Sequence, residues 1–167
     1  LDLPATVNVD SIDFNLGQKF MTKPDVTLDA RKECVYFGTG DREQPTSTDV
    51  VDAFYSVCNK WEKDADGVLK TLALTDMVDV TDNLVQKGTT DEKALVNTAL
   101  QAGYGWYTRM EHTGEKIVSS PKVLNKKVYF TTFTPGTSSV NSDPCDVSYD
   151  YGVSRLYILD YKTGAAV

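Results

Sequence analysis

The sequence predicts an all-β fold of about two antiparallel sheets, joined by a segment that carries one short helix. Three observations predict it. Short aromatic and β-branched runs recur between turn-forming clusters, which is the pattern of strands. Residues 76–103 are poor in aromatics and hold a capped helical run instead. A set of three strand-like segments also occurs twice in the same order, about 100 residues apart, the mark of a repeated unit.

Along the chain, residues 1–17 read as an entering strand or an ordered lead-in, punctuated by Asp10, Asp13 and Gly17. Residues 18–28 read as a strand interrupted by Pro24. A proline has no amide to give to a ladder, so it belongs at an edge or a strand start. A polar turn at 29–32 precedes the buried strand Cys34-Val35-Tyr36-Phe37, which Gly38-Thr39-Gly40-Asp41 ends. After a loop at 41–50, residues 53–58 form a second aromatic strand leading to Trp61. A charged turn at 62–67 and a further strand at 68–74 follow. Residues 91–102 fit a helix: Thr89 or Thr90 caps it, and Asp91 and Glu92 suit its positive end. Leu95, Thr98 and Ala99 share a face at helical spacing, and Gly103 stops the helix. The β pattern then returns with a strand at 105–110, a turn at 111–114 and strand segments at 116–120 and 121–124. The tight turn Asn125-Lys126-Lys127 leads into a strong strand at 128–133. A loop at 134–153 precedes the last strand, 155–161, which Thr163-Gly164 closes.

Charge and composition exclude several functions. Lys plus Arg number 17 and Asp plus Glu 24, a net charge of −7. An acidic chain lacks the basic face that phosphate binding needs, so nucleic acid is not an expected partner. The same sign disfavours a polybasic grip on anionic lipid. A hydrophobic fraction of 41% with 25% charged residues is that of a globular chain. No apolar run approaches the roughly 20 residues that span a bilayer as a helix. The first residues, Leu1-Asp2-Leu3-Pro4, carry no initiator Met and no signal peptide, so they read as a processed or cut end of a longer polypeptide.

Catalytic motifs are missing as well. The single histidine, His112, rules out HExxH and His-rich metal cages. The spacing of Cys34, Cys58 and Cys145 cannot make a haem-attachment motif. There is no Walker A loop and no G-x-S-x-G elbow. Gly38-Thr39-Gly40 lacks the third glycine of a dinucleotide fingerprint.

The repeated unit is specific. Lys23-Pro24-Asp25-Val26, then Val35-Tyr36-Phe37-Gly38-Thr39, then Ala53-Phe54-Tyr55-Ser56-Val57 make one copy. Ser120-Pro121-Lys122-Val123, then Val128-Tyr129-Phe130-Thr131-Thr132, then Arg155-Leu156-Tyr157-Ile158-Leu159 make the other. Each is a Pro-led strand, a V-Y-F strand and an aromatic strand. Two aromatic hairpins in any all-β protein look somewhat alike, but here the order of three separate segments is kept. The runs are apolar on both faces, as in a sheet covered on each side. The expectation is therefore two blades of propeller type in an incomplete ring, within one module spanning 1–167. Residues 18–75 form the first blade, 76–103 the connection with its helix, and 104–167 the second blade.

These segments resemble the C-terminal propeller of the PilY family, proteins of type IV pilus biogenesis and tip adhesion. The likeness rests on residues 18–25, Val35-Tyr36-Phe37-Gly38-Thr39-Gly40 and Asp52-Ala53-Phe54-Tyr55-Ser56-Val57. In the second half it rests on Gly105-Trp106-Tyr107, residues 114–121, residues 128–135, Asp143-Pro144-Cys145 and residues 154–160. It covers residues 18–61 and 104–167, and the helical middle is unmatched. The resemblance implies a non-enzymatic extracellular module of a bacterial pilus protein, acting through protein or surface contacts. Its partners would be pilus components and either the rest of its parent polypeptide or another copy of the chain. The family's calcium loop is not matched. Asp64-Ala65-Asp66-Gly67 lacks the further acidic ligands and reads as a solvated turn, so no cofactor is expected in this chain. Two other functions compete: a fragment of a quinoprotein-like dehydrogenase propeller, and a carbohydrate-binding β module.

Single residues point the same way. His112 sits in a turn without an oriented partner, and Ser154 beside Arg155 has no histidine to activate it. Trp61, Trp106, Tyr36, Tyr55, Tyr129 and Tyr157 could form a sugar platform, but in repeated strands they are more simply core and cross-strand pairs. Asp64, Asp66, Asp76, Asp79 and Asp82 read as a solvated edge. The cysteines carry the one candidate covalent feature. If the strands holding Cys34 and Cys58 are adjacent and antiparallel about the turn between Gly40 and Val51, the two fall within one residue of opposite. Facing Cβ atoms then come close to the distance a disulfide tolerates. An extracellular module would keep such a bond, and a reduced facing pair is the alternative. Cys145 is left free or paired outside the chain.

Overall fold

The structure is a computed structural model. It describes residues 8–9, 12–13, 17–29, 32–60, 63, 65–68, 71–136, 139–140, 147–148 and 151–167. Cys145, Trp61 and Asp64 lie outside the described residues. The larger strands are β1 (Asp25–Asp29), β2 (Lys32–Gly38), β3 (Ala53–Asn59), β4 (Val78–Asp79), β5 (Gly105–Arg109), β6 (Lys116–Ile117), β7 (Lys122–Leu124), β8 (Lys127–Thr134) and β9 (Val153–Asp160). Two short ladders, Asn8–Val9 with Ile12–Asp13 and Ser139–Val140 with Val147–Ser148, stand apart from them. The helices are α1 (Leu84–Lys87) and α2 (Thr90–Ala102).

The strands form two main sheets. The first has the order β1-β2-β3-β5-β4, antiparallel except for β4 beside β5. In the second, β8 pairs along its whole length with β9, and its other edge takes β6 and β7 in turn. The two copies of the sequence repeat are thus the same meander. β1-β2-β3 make one and β7-β8-β9 the other, and Pro24 and Pro121 each stand immediately before the first strand. The tight turn between β7 and β8 has both Asn125 (φ 50°) and Lys126 (φ 62°) in the left-handed region, as a two-residue hairpin loop matched to strand twist requires.

The sheets pack face to face over one core. Cys34, Tyr36, Phe54, Cys58 and Trp106 from the first meet Ile117, Val128, Phe130 and Leu159 from the second. Phe54 and Phe130 stack across the interface with centroids 4.1 Å apart and planes 4° from parallel. Contact is close at the end of β2, where a Cβ on Gly38 would lie 2.6 Å from the Ile117 side chain. The two Pro-led strand starts also touch, through Val123 N–H donating to Asp25 Oδ2 at 2.8 Å.

Several expectations need correction. Residues 105–109, grouped with the second unit, pair with β3 in the first sheet. The chain must therefore cross back through the helices before it begins the second meander. Among the described residues, 68–74 form no strand, and Leu74–Asp76 is a single 3-10 turn held by Asp76. The stretch 17–24 is irregular, with the strand starting only after Pro24. Helix α2 has the expected cap: Thr89 N–H donates to Glu92 Oε2 at 2.7 Å, and the Thr89 hydroxyl accepts from Glu92 N–H. The face that Leu95, Thr98 and Ala99 share is turned outward, with Leu95 71% exposed. Leu100 packs against the core instead, and Val96 and Lys93 share its half-buried side. With no fully buried residue, the helix is held mainly by its cap and by that one stripe.

Candidate functional site

Three places bear chemistry: the linked cysteines, a group of buried ionisable residues, and the outer faces of the two sheets. Cys34 and Cys58 are register partners in β2 and β3, and they are joined as a disulfide with Cα atoms 4.0 Å apart. The bond lies on the core side of the first sheet, with both cysteines buried.

At the same end of the core as Gly38 and Thr39, three ionisable residues are almost wholly buried: Asp52, Glu115 and Lys116. Glu115 Oε1 accepts from the Thr132 hydroxyl at 2.5 Å and from the Tyr157 hydroxyl at 3.0 Å, with Arg155 Nη1 at 3.9 Å. Burial, reinforced by the Glu115 charge, pushes the Tyr157 phenol up to about 12. Lys116 Nζ donates to the carbonyls of Gly114, at 3.0 Å, and Ser47. Neither carboxylate oxygen of Asp52, nor Glu115 Oε2, meets a hydrogen-bond partner among the described residues. Burial raises the Asp52 pKa, opposed by the neighbouring Thr39 hydroxyl and Lys116 charge. Nothing in the sequence signals this group. Asp52 merely precedes an apolar strand, and Glu115-Lys116 looks like the polar end of a turn.

The outer face of the first sheet is aromatic. Phe20 meets Phe37 edge-on at 5.2 Å, Phe37 stacks on Tyr55 at 5.2 Å, and Tyr55 stacks on Tyr107 at 6.0 Å. Arg109 closes the row, 5.6 Å over Tyr107 and 3.2 Å from Asp79. Val26 and Leu28 of β1 extend this face, 59% and 73% exposed. The outer face of the second sheet carries Tyr129, Phe133, Leu156 and Ile158, with Leu124 at its rim. Leu124 and Leu156 are 63% and 62% exposed.

The sequence-predicted candidates are scattered among these places. Tyr36 and Trp106 are core residues, and both donate to the Tyr161 carbonyl, at 3.0 and 3.2 Å. Tyr55, Tyr129 and Tyr157 lie on different faces and make no common platform. His112 is exposed in its turn. Asp79 pairs with Arg109, Asp76 holds its own turn, and Asp66 and Asp82 are exposed. Among the described residues no group of His, Cys, Asp and Glu is placed to hold a metal ion, and no helix is long and apolar enough to cross a membrane. No family model, curated protein or solved structure matches this chain.

Proposed function

We propose that this chain is a non-enzymatic contact module built of propeller-type blades, and that it serves in a pilus-associated surface protein. The observation that carries the blade reading is which faces meet. In the first unit Val26, Val35, Phe37 and Tyr55 lie on the outer face. Their counterparts in the repeat, Val123, Val128, Phe130 and Tyr157, lie on the inner face of the second. The same stacked Phe–Tyr pair occurs in both, at 5.2 Å in the first unit and 5.1 Å in the second. One faces out and the other faces the core. A two-fold sandwich would bury like faces against like. Here the units stack head to tail, which is how successive blades pack; the far face of the second sheet exposes Leu124 and Leu156, and that of the first exposes Val26 and Leu28 beside a small cluster in which Leu74 and Met77 pack against Tyr55 and Tyr107. Those faces are suited to further sheets, from the rest of a parent polypeptide or from another copy.

The pilus and cell-surface assignment rests on the sequence resemblance, and the cross-strand disulfide is compatible with it. Co-sedimentation of the purified chain with isolated type IV pili tests it. Retention with the pili, lost on reduction and unfolding of the module, is the expected result. No retention removes the assignment. An absorbance change on titration with a quinone cofactor and calcium would replace it with the dehydrogenase reading, and binding on a glycan array with the carbohydrate one.

A further inference from the structure

One end of the core holds a carboxyl group and an ammonium group side by side but unjoined. Asp52 is 1% exposed and Lys116 2% exposed. Asp52 lies two residues before Phe54, on the core side of β3. Carried two positions past Gly38 and Phe54, the register of β2 and β3 sets Gly40 opposite Asp52. A Cβ on Gly40 would lie 3.1 Å from Lys116 Cβ, so the lysine stem starts beside the aspartate. The lysine charge acts on Asp52, yet Lys116 Nζ donates elsewhere, to the carbonyls of Gly114 and Ser47. Both Asp52 oxygens are left without a hydrogen-bond partner among the described residues. A buried carboxyl group in that position is tolerated when protonated and calls for a partner when ionised.

Ser47 belongs to the loop 41–50 between β2 and β3. The loop rests on the turn before β6, where a Cβ on Gly114 would lie 2.8 Å from Thr48 Cγ2 and 3.2 Å from the Ser47 carbonyl oxygen. Most of the loop is exposed, and Lys116 Nζ ties it from within to the second sheet.

We propose that Lys116 is a two-position latch on the loop 41–50, set by the proton on Asp52. With Asp52 protonated, the ammonium holds the Ser47 carbonyl and the loop is docked on the Gly114 turn. When Asp52 loses its proton, the ammonium turns to the carboxylate and lets the Ser47 carbonyl go. The loop, rich in Thr, Ser and Asp, is then free for contacts of its own. Burial raises the Asp52 pKa, so acid favours the docked loop and release comes as pH rises through the folded-state value.

The other charges around the pair are engaged elsewhere or exposed. Asp41, just beyond β2, pairs with Lys19 at 2.8 Å. Glu115, beside Lys116, accepts from the Thr132 and Tyr157 hydroxyls, with Arg155 next to it. Arg109, the charged residue of β5, is turned to Asp79 on the outer face. Glu111 and His112 are exposed in their turn.

The test follows the whole chain by NMR from about pH 4 to about pH 9. The Asp52 carboxyl carbon reports its proton, and the NOE between the Thr48 methyl and Gly114 reports docking. The NOE should be present in acid and lost with the midpoint of the Asp52 titration. Asp52→Asn should keep it across the range although His112 still titrates, and Lys116→Met should lose it across the range. The contact between Gly38 and Ile117 reports in each case that the core is folded. Four results overturn the proposal: an NOE that is constant while Asp52 titrates, an Asp52 that does not titrate in this range, a pH-dependent loss that survives in Asp52→Asn, or docking kept in Lys116→Met. Should Lys116→Met fail to fold, the wild-type titration and Asp52→Asn decide by themselves.

Discussion

Breaking the Cys34–Cys58 link is expected to lower stability by about 3.4 kcal/mol at 25 °C. The bond closes a loop with a sequence separation of 24 residues. The entropy it removes from the unfolded chain, from a constant plus a logarithmic loop-length dependence, gives that value. The native state resists little, because β2 and β3 already pair through six register positions with the two cysteines opposite one another. For a domain of this size each kcal/mol moves the melting temperature by roughly 2–4 °C, so the reduced protein should melt roughly 7–14 °C lower. Urea and thermal unfolding of the wild type, oxidised and reduced, measure this without altering the core. The double variant Cys34→Ala, Cys58→Ala should fall at least as far, since it also removes two buried sulfurs. Intact-mass analysis after alkylation of the unfolded, unreduced protein counts the thiols. Three modified cysteines would mean that no bond forms. A bond that is present but shifts the melting temperature by less than about 2 °C would refute the loop-entropy reasoning.

Other substitutions probe different parts of the fold. Gly105→Ala should abolish folding or cost more than about 4 kcal/mol, because Gly105 has φ +127° and an added Cβ would lie 1.8 Å from the Ser56 carbonyl oxygen; circular dichroism and soluble yield report it. Phe130→Ala, which removes a ring stacked on both Phe54 and Tyr157, should cost about 3–5 kcal/mol in urea unfolding. Asp52→Asn should stabilise at neutral pH. Burial raises the folded-state pKa of Asp52 above its ordinary 3.8, so its favourable contribution is complete below that value and is lost as pH rises through the folded pKa. The variant's advantage should therefore vanish in acid, and an advantage that grows below pH 4 would contradict the assignment.

Much of the architecture was legible because it follows from local chemistry. Pro24 and Pro121 mark strand starts, Thr89 and Glu92 mark a helix start, and the V-Y-F runs mark the central strands of the two meanders. The facing of Cys34 and Cys58 was legible because an antiparallel hairpin with a known turn fixes its own register. What escaped depends on distant partners. Residues 105–109 follow the helices and precede the second meander, yet they pair with β3 through five register positions, and no local signal announces that distant partner. In α2, Leu95–Ala99 and Val96–Leu100 are equally good apolar spacings, and only the sheet beneath chooses between them. Asp52 and Glu115 look like surface carboxylates until residues far along the chain bury them.

The carbonyl of Tyr161 has a consequence for how the chain folds. It accepts hydrogen bonds from the hydroxyl of Tyr36, 125 residues earlier, and from the indole N–H of Trp106. Both donors sit in the first sheet, and both are buried in the core it shares with the second. On the ribosome the first meander emerges long before residue 161, so its central tyrosine must stay hydrated until the last turn arrives. The last turn therefore completes the burial of two first-sheet side chains. Closure of such distant contacts is slow, and the core should acquire protection late and all at once, after the final strand is made.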